Sequence, residues 1–107
     1  MTDEQINAAI AEACGWTEIR DNVVGKAPGE TANRVMFLPN YSTSLNAMHE
    51  AEKVLTEIQW FYYLNELYNI VRLPNQPELQ MKQAVNATAR QRAEAFLRTL
   101  GKWEDGE

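Results

Sequence analysis

The stretch that decides the fold is TEIQWFYYLNELYNIV, residues 56–71, which holds five of the ten aromatic residues in the chain. As a strand it would mix apolar and polar side chains on both faces. At 100° per residue, the apolar side chains instead gather within one half-turn. The pattern predicts a helix near 57–72, with a pair of strands as the alternative. The apolar half carries Trp60, Phe61, Tyr63, Leu64, Leu67, Tyr68, Ile70 and Val71.

An arc of this width is typical of a helix side that faces the core. We therefore interpret 57–72 as the centre of the fold and not as a platform for a ligand. Tyr62 lies outside the arc, so we expect it to be exposed. The polar row on that side is also expected to be open to a partner, and it consists of Gln59, Asn65, Glu66 and Asn69.

Three helix starts share the spacing Thr-x-x-Gln, beginning at Thr2, Thr56 and Thr88. In this capping box the threonine hydroxyl accepts from an early helix N–H, and the glutamine reaches back to the threonine N–H. Gly15 and Gly101 supply stop signals for the first and last helices, because glycine readily adopts the left-handed conformation that ends a helix.

A further helix is predicted to begin in the Ser/Thr cluster at 42–44. The side chains that repeat the helical spacing after it are Ala47, Ala51, Val54, Leu55 and Ile58. Upstream, the β-like runs 23–24 and 35–38 flank a glycine- and proline-containing segment, which predicts a small hairpin. Residues 73–83 are interpreted as a connector. The predicted fold is one domain over 1–107, mainly helical α+β, with about four helices and one small hairpin or sheet between the first two.

The net charge of −5 is placed unevenly. Residues 1–57 contain nine Asp/Glu and four Lys/Arg, whereas residues 58–107 contain six of each. An acidic front half repels phosphates and would suit a basic protein partner. No apolar run is long enough to span a bilayer, and the acidic start lacks the apolar region of a signal peptide. The single Cys14 cannot form an internal disulfide, so we expect a cytoplasmic protein.

Catalytic and metal chemistry find little support in the residue pattern. His49 is the only histidine and is predicted to be a solvated side chain; with Glu50 or Glu52 it would still lack the ligands of a zinc site. Cys14 ends a helix, where the dipole raises the pKa of a thiol, and is interpreted as a small buried apolar residue. No phosphate-binding glycine motif is present. We therefore predict no enzyme activity, no cofactor and no metal.

Three segments together resemble a known family of phage and prophage proteins, the phage alpha-beta-alpha sandwich domain family. They are INAAIAEACGW (6–16), LPNYSTSLNAMHEAEKVL (38–55) and NATARQRAEAFLRTLGKWED (86–105). The resemblance implies a phage-encoded protein that acts inside a bacterium, with helices packed on a small sheet. It implies no activity.

The predicted function is therefore that of a non-catalytic phage accessory protein that binds another protein, such as a host factor or a defence component. The expected contact regions are the acidic surface of 1–57 and the loop 25–34. The candidate contact residues are Tyr62, Glu66, Glu50, Lys26 and Glu30. A homo-oligomer is left open, and no membrane contact is expected.

Two alternatives are kept. The first is a nucleic-acid-binding phage regulator, in which the basic side chains of the last helix meet a phosphate backbone; these are Arg90, Arg92, Arg98 and Lys102. The nearby acidic residues disfavour it. The second is a small enzyme or metal protein that uses His49.

Overall fold

The computed structural model describes residues 1–29, 34–71 and 86–104. These parts form four helices and one three-stranded sheet between the first two helices, which confirms the predicted mainly helical α+β class. The predicted connector 73–83 lies outside the described residues. In chain order the elements are α1 (Asp3–Ala13), β1 (Thr17–Arg20), β2 (Val24–Lys26), β3 (Met36–Phe37), α2 (Leu45–Glu52), α3 (Glu57–Ile70) and α4 (Ala89–Thr99).

All three predicted capping boxes are present. The hydroxyls of Thr2, Thr56 and Thr88 accept from the backbone N–H of the glutamine three residues on, at 3.2, 3.2 and 3.1 Å. The side-chain Oε1 of each glutamine in turn accepts from the threonine N–H at 2.9 Å. α2 begins with a simpler cap, in which the Ser44 hydroxyl accepts from the N–H of Ala47. Each cap satisfies a backbone donor that the first helical turn would leave without a partner.

The predicted stop signals also act as expected. Gly15 and Gly101 have positive φ angles of 100° and 72°. The residue after each glycine donates its N–H back across the helix end, Trp16 to Ala11 at 3.0 Å and Lys102 to the carbonyl of Leu97 at 2.8 Å. This is the Schellman arrangement, which ends a helix with its last carbonyls bonded.

The sheet is antiparallel in the order β1-β2-β3. Pairing of β2 with β3 confirms the predicted hairpin, but β1 was not predicted. It is joined to β2 by a tight turn at Asp21 and Asn22, whose φ angles of 55° and 60° are those of a type I′ turn. The N–H of Val23 closes this turn on the carbonyl of Arg20 at 3.1 Å. An Asp-Asn pair tolerates positive φ, and it is the sequence signal that marks this hairpin.

The core is built around α4 and not around α3, which corrects the prediction that 57–72 is the centre. α4 packs against α1, α2 and α3, whereas α4 is the one described element on which α3 packs extensively. Alanines at Ala89, Ala93 and Ala95 let the neighbouring helices approach α4 closely. The fully buried large side chains are Tyr63, Phe96, Ile6, Ile10, Met48 and Leu97.

Stretch 57–70 is a single helix, so the alternative of two strands is wrong. The predicted burial of its apolar half is correct only in part. Tyr63, Leu67 and Val71 are buried, but Trp60, Phe61 and Leu64 are exposed. A helix that packs mainly on one neighbour buries a narrow stripe, and α3 is apolar over a wider arc than α4 covers. α2 ends at Glu52, so Val54 and Ile58 leave its apolar face and are exposed as well.

Gly101→Ala should lower the free energy of unfolding by about 1 to 2 kcal/mol, because a side chain at this positive φ is strained. Apart from its neighbours in the chain, no atom of the described residues lies within 4 Å of the added Cβ, so the expected cost comes from backbone strain. Gly101→Asn is the matched control and should cost less, since asparagine tolerates the left-handed region. Urea denaturation measures both. Equal costs for the two variants would contradict this account of the helix end.

Candidate functional site

One exposed apolar surface lies on the side of α3 that points away from α4. Phe61, Ile58 and Tyr62 expose 73%, 69% and 62% of their areas. Soluble monomers rarely expose a large contiguous apolar patch unless it serves an interaction. We call this surface the outer face of α3, and it consists of Ile58, Phe61, Tyr62, Leu64 and Asn65.

The spacing of the outer face is that of a helix-packing seam. Ile58, Phe61, Tyr62 and Asn65 stand at i, i+3, i+4 and i+7, which places them on one side of the helix. Two of these side chains are aromatic, a type enriched at the energetic centres of protein interfaces. The face can therefore provide apolar area together with the amide of Asn65 at its C-terminal end.

The orientation of the outer face is fixed by a buried polar cluster on the opposite side of α3. The Tyr63 hydroxyl donates to the Glu52 carboxylate of α2, and Arg92 of α4 donates to the same Oε2 at 3.2 Å. The side chains of Glu52 and Arg92 are only 10% and 16% exposed. The Trp60 ring lies 5.3 Å from that of Tyr63, at a tilted angle. α3 is thus held in one rotation about its axis.

The cluster of Tyr63, Glu52 and Arg92 has the properties of a structural contact between helices. Burial, and then the hydrogen bond to the Glu52 carboxylate, raise the pKa of the Tyr63 phenol far above its ordinary value of 10.0. A phenol that resists ionisation is a poor general base at neutral pH. The charges of Glu52 and Arg92 satisfy one another. The hypothetical pairing of Glu52 with His49 as metal ligands therefore has no support, because Glu52 is committed to Tyr63 and Arg92.

The candidate contact residues lie on separate elements. Tyr62 is exposed on α3 as expected, and Glu66 is half-buried on the same helix. Glu50 of α2 is exposed and pairs with Lys53 at 2.8 Å. Lys26 of β2 is partly buried and pairs with Glu18. Glu30 and part of the loop 25–34 lie outside the described residues. The structure therefore joins Tyr62 with Glu66 but does not bring Glu50 or Lys26 into one site with them.

Cys14 and His49 have different surroundings. Cys14 is half-buried at the end of α1, and burial raises the pKa of its thiol, while a hydrogen bond with Tyr41 opposes that rise. A thiol with a raised pKa is a weak nucleophile. His49 is exposed on α2. Within 1–29, 34–71 and 86–104, no three His, Cys, Asp or Glu side chains are grouped as metal ligands would be.

The basic side chains of α4 and the residue after Gly101 are engaged inside the molecule. Arg90 pairs with Asp3 at 2.5 Å, Arg92 with Glu52 at 3.2 Å, and Arg98 with Glu94 at 2.7 Å. Lys102 lies 3.8 Å from Glu12. Glu94 and Arg98 pair with each other along α4, whereas Arg90 reaches Asp3 of α1. Each cation that a phosphate backbone would need is thus balanced by a carboxylate.

An open cleft of about 490 Å³ lies between α1 and the segment after α4. Its walls include Gln5, Glu12, Lys102, Trp103 and Glu104. The cleft is shallow and its rim is mostly polar, unlike the enclosed apolar pockets that hold small molecules. The outer face of α3 is therefore the stronger candidate site.

Comparisons of the chain with protein-family models, with curated proteins and with solved structures find no match. The resemblance to the phage alpha-beta-alpha sandwich domain family therefore stays a prediction that rests on its three segments. Among the helices that the structure describes, none is both long and apolar enough to cross a bilayer.

Phe61→Ser should change the free energy of unfolding by less than about 0.5 kcal/mol, because the side chain is exposed. Leu67→Ala, one turn and a half further along the same helix, should cost about 2 to 5 kcal/mol, because Leu67 is buried against the core. Urea denaturation of both variants separates the outer face from the packed face. A large loss in Phe61→Ser would show that the outer face is covered in the folded chain.

The buried phenols predict a loss of stability in alkali. A phenol whose pKa is raised on folding stabilises the fold below its unfolded pKa of about 10, and this stability is lost as the pH rises above that value. Tyr41 shares the raised pKa, mainly through burial. Tyr63→Phe or Tyr41→Phe should each make the decline above pH 10 shallower, by up to about 1.4 kcal/mol per pH unit. Denaturation midpoints across this range provide the measurement, and unchanged slopes would contradict the assignment.

Proposed function

We propose that this chain is a non-catalytic binding domain that docks another protein onto the outer face of α3. One observation carries the proposal, the exposure of Ile58, Phe61 and Tyr62 on a helix whose opposite side is anchored in the core. Exposed aromatic side chains on a rigid element lose little conformational freedom on binding, which favours affinity. Tyr62 is the contact residue that was expected from the sequence, and Phe61 and Ile58 extend the site.

The proposal includes an origin and a location. The resemblance described above supports a phage or prophage protein that acts in the cytoplasm of its bacterial host. A host factor or a defence component would then be the partner. The lone Cys14 fits a reducing compartment.

The alternatives have less support. A nucleic-acid-binding regulator would need basic side chains available to phosphates, but Arg90, Arg92, Arg98 and Lys102 all pair with carboxylates. Breaking such an ion pair to bind a phosphate costs free energy, which reduces the binding free energy that the phosphate contact supplies. An enzyme or metal protein using His49 would need nearby partners, and the two acidic candidates on the same helix, Glu50 and Glu52, pair with Lys53 and Arg92.

The proposal is tested by capture of partners from bacterial lysate on three immobilised forms of the protein. They are the wild-type chain, the outer-face variant Phe61→Ser/Tyr62→Ser, and the control Phe37→Ser. Phe37 is 80% exposed on β3, so the control removes an equally exposed aromatic side chain elsewhere. We expect one specific partner on wild type and control, and a loss of about thirtyfold or more in affinity for the outer-face variant.

Circular dichroism must show that all three forms are folded. Retention of the same partner by the outer-face variant would overturn the proposed site, and the absence of any specific partner would count against the function. Retention of duplex DNA at about 50 mM salt would favour the nucleic-acid alternative.

A further inference from the structure

The charges around the outer face of α3 indicate which kind of partner can bind there. α3 contains two acidic residues, Glu57 and Glu66, and no lysine or arginine over Glu57–Ile70. Glu57 precedes Phe61 by four residues, and Glu66 follows Tyr62 by four. Side chains four apart on a helix are neighbours, so one carboxylate stands at each end of the apolar seam.

Within the described residues five acidic side chains have no ion pair, and Glu57 and Glu66 are two of them; the others are Glu4, Asp21 and Glu104. Asp3, Glu12, Glu18, Glu50 and Glu52 each pair with a lysine or an arginine. Neither Glu57 nor Glu66 has an ion-pair partner among the described residues. Each end of the seam therefore offers a carboxylate to a cation from outside, and at the Glu66 end Arg98 of α4 lines the same shallow cleft.

The shape of the seam favours a helix as the occupant. Ile58, Phe61 and Tyr62, at i, i+3 and i+4, form a ridge of the kind that packs into the groove of a second helix. α3 has 14 residues and is therefore about 21 Å long, which four turns of a partner helix would match. Asn65, the last residue of the seam, can bond to a polar group on that helix, as single asparagines do in helix pairs.

Two other occupants fit less well. A second copy of this chain would place one α3 against another, so acidic residues would meet acidic residues with no cation on either helix. An anionic membrane surface attracts helices through lysine and arginine, and α3 has neither. A partner helix with an apolar stripe and basic side chains can cover the apolar seam and pair with the carboxylates at its ends.

We propose that the outer face of α3 binds an amphipathic helix of a partner protein, whose apolar stripe is bordered by lysine or arginine. The inference rests on the proposed function and specifies the partner's chemistry. The partner's apolar stripe would cover Ile58, Phe61 and Tyr62. Its basic side chains would pair with Glu57 at one end and with Glu66 at the other.

The test uses two synthetic helical peptides with the same leucine stripe, one bordered by lysines and one by glutamates. Isothermal titration calorimetry with the full chain should show at least about tenfold tighter binding of the leucine/lysine peptide. Phe61→Ser should weaken that binding by about tenfold or more, whereas Phe37→Ser should leave it unchanged.

Charge variants separate the seam from the general acidity of the protein. Glu57→Gln/Glu66→Gln should bring the affinities of the two peptides within about threefold of each other. Glu4→Gln is the matched control, since Glu4 is an exposed carboxylate in the first turn of α1, and it should leave the preference intact. Circular dichroism confirms that each variant is folded.

Three outcomes would overturn the inference. One is equal binding of the two peptides by the wild-type chain, and another is a preference that Phe61→Ser or Glu57→Gln/Glu66→Gln does not change. The third is a concentration-dependent dimer, detected by analytical ultracentrifugation and abolished by Phe61→Ser, because a second copy would then occupy the face. If lysate capture still depends on Phe61 and Tyr62 while the peptides fail, the proposed function stands and only the partner's chemistry is wrong.

Discussion

The arrangement of the helices depends on one buried carboxylate. Glu52 closes α2, and its Oε2 accepts from Tyr63 of α3 and from Arg92 of α4. A carboxylate and a guanidinium that are both largely removed from water must pair, because the cost of leaving either one alone exceeds what packing can offset. Three helices therefore share a single relative position in which both charges are satisfied. Sliding or rotating any one of them would strand a charge in the core.

In the folded protein, many of the acidic side chains from the first half of the chain form ion pairs with basic side chains of other elements. The sequence is acidic in its first half, and this asymmetry alone suggests an acidic surface. In the structure, Asp3, Glu12 and Glu52 from that half pair with cations that lie in or just after α4. Several acidic side chains of the first half therefore serve to hold α1 and α2 against α4. Of the acidic side chains left without an ion pair in the described residues, Glu57 and Glu66 lie on α3, and Glu4, Asp21 and Glu104 lie elsewhere.

Local signals predicted most of the fold. Each Thr-x-x-Gln started a helix, and Gly15 and Gly101 ended two, because caps are decided by residues three to five positions apart. Strand β1 was missed because its turn, at Asp21 and Asn22, lacks the glycine that usually marks a type I′ turn. Helix periodicity showed which side chains of α3 share a side, but it carries no information about which neighbour covers them. The exposure of Phe61 and the Tyr63–Glu52–Arg92 cluster depend on tertiary contacts, and for that reason the candidate site was only partly predictable.

The ion pairs between α1 and α4 bear on the order in which the protein folds. Arg90 bonds to Asp3 across 87 positions of sequence, and Lys102 meets Glu12 near the other end of the same two helices. α1 and α4 therefore lie side by side and parallel, with the sheet, α2 and α3 between them in the chain. Contacts of such high sequence separation slow folding, because a long loop must close before they form. During synthesis, α1 emerges before α4 and has no α4 to pack against, so the core of this domain can assemble only after α4 has left the ribosome.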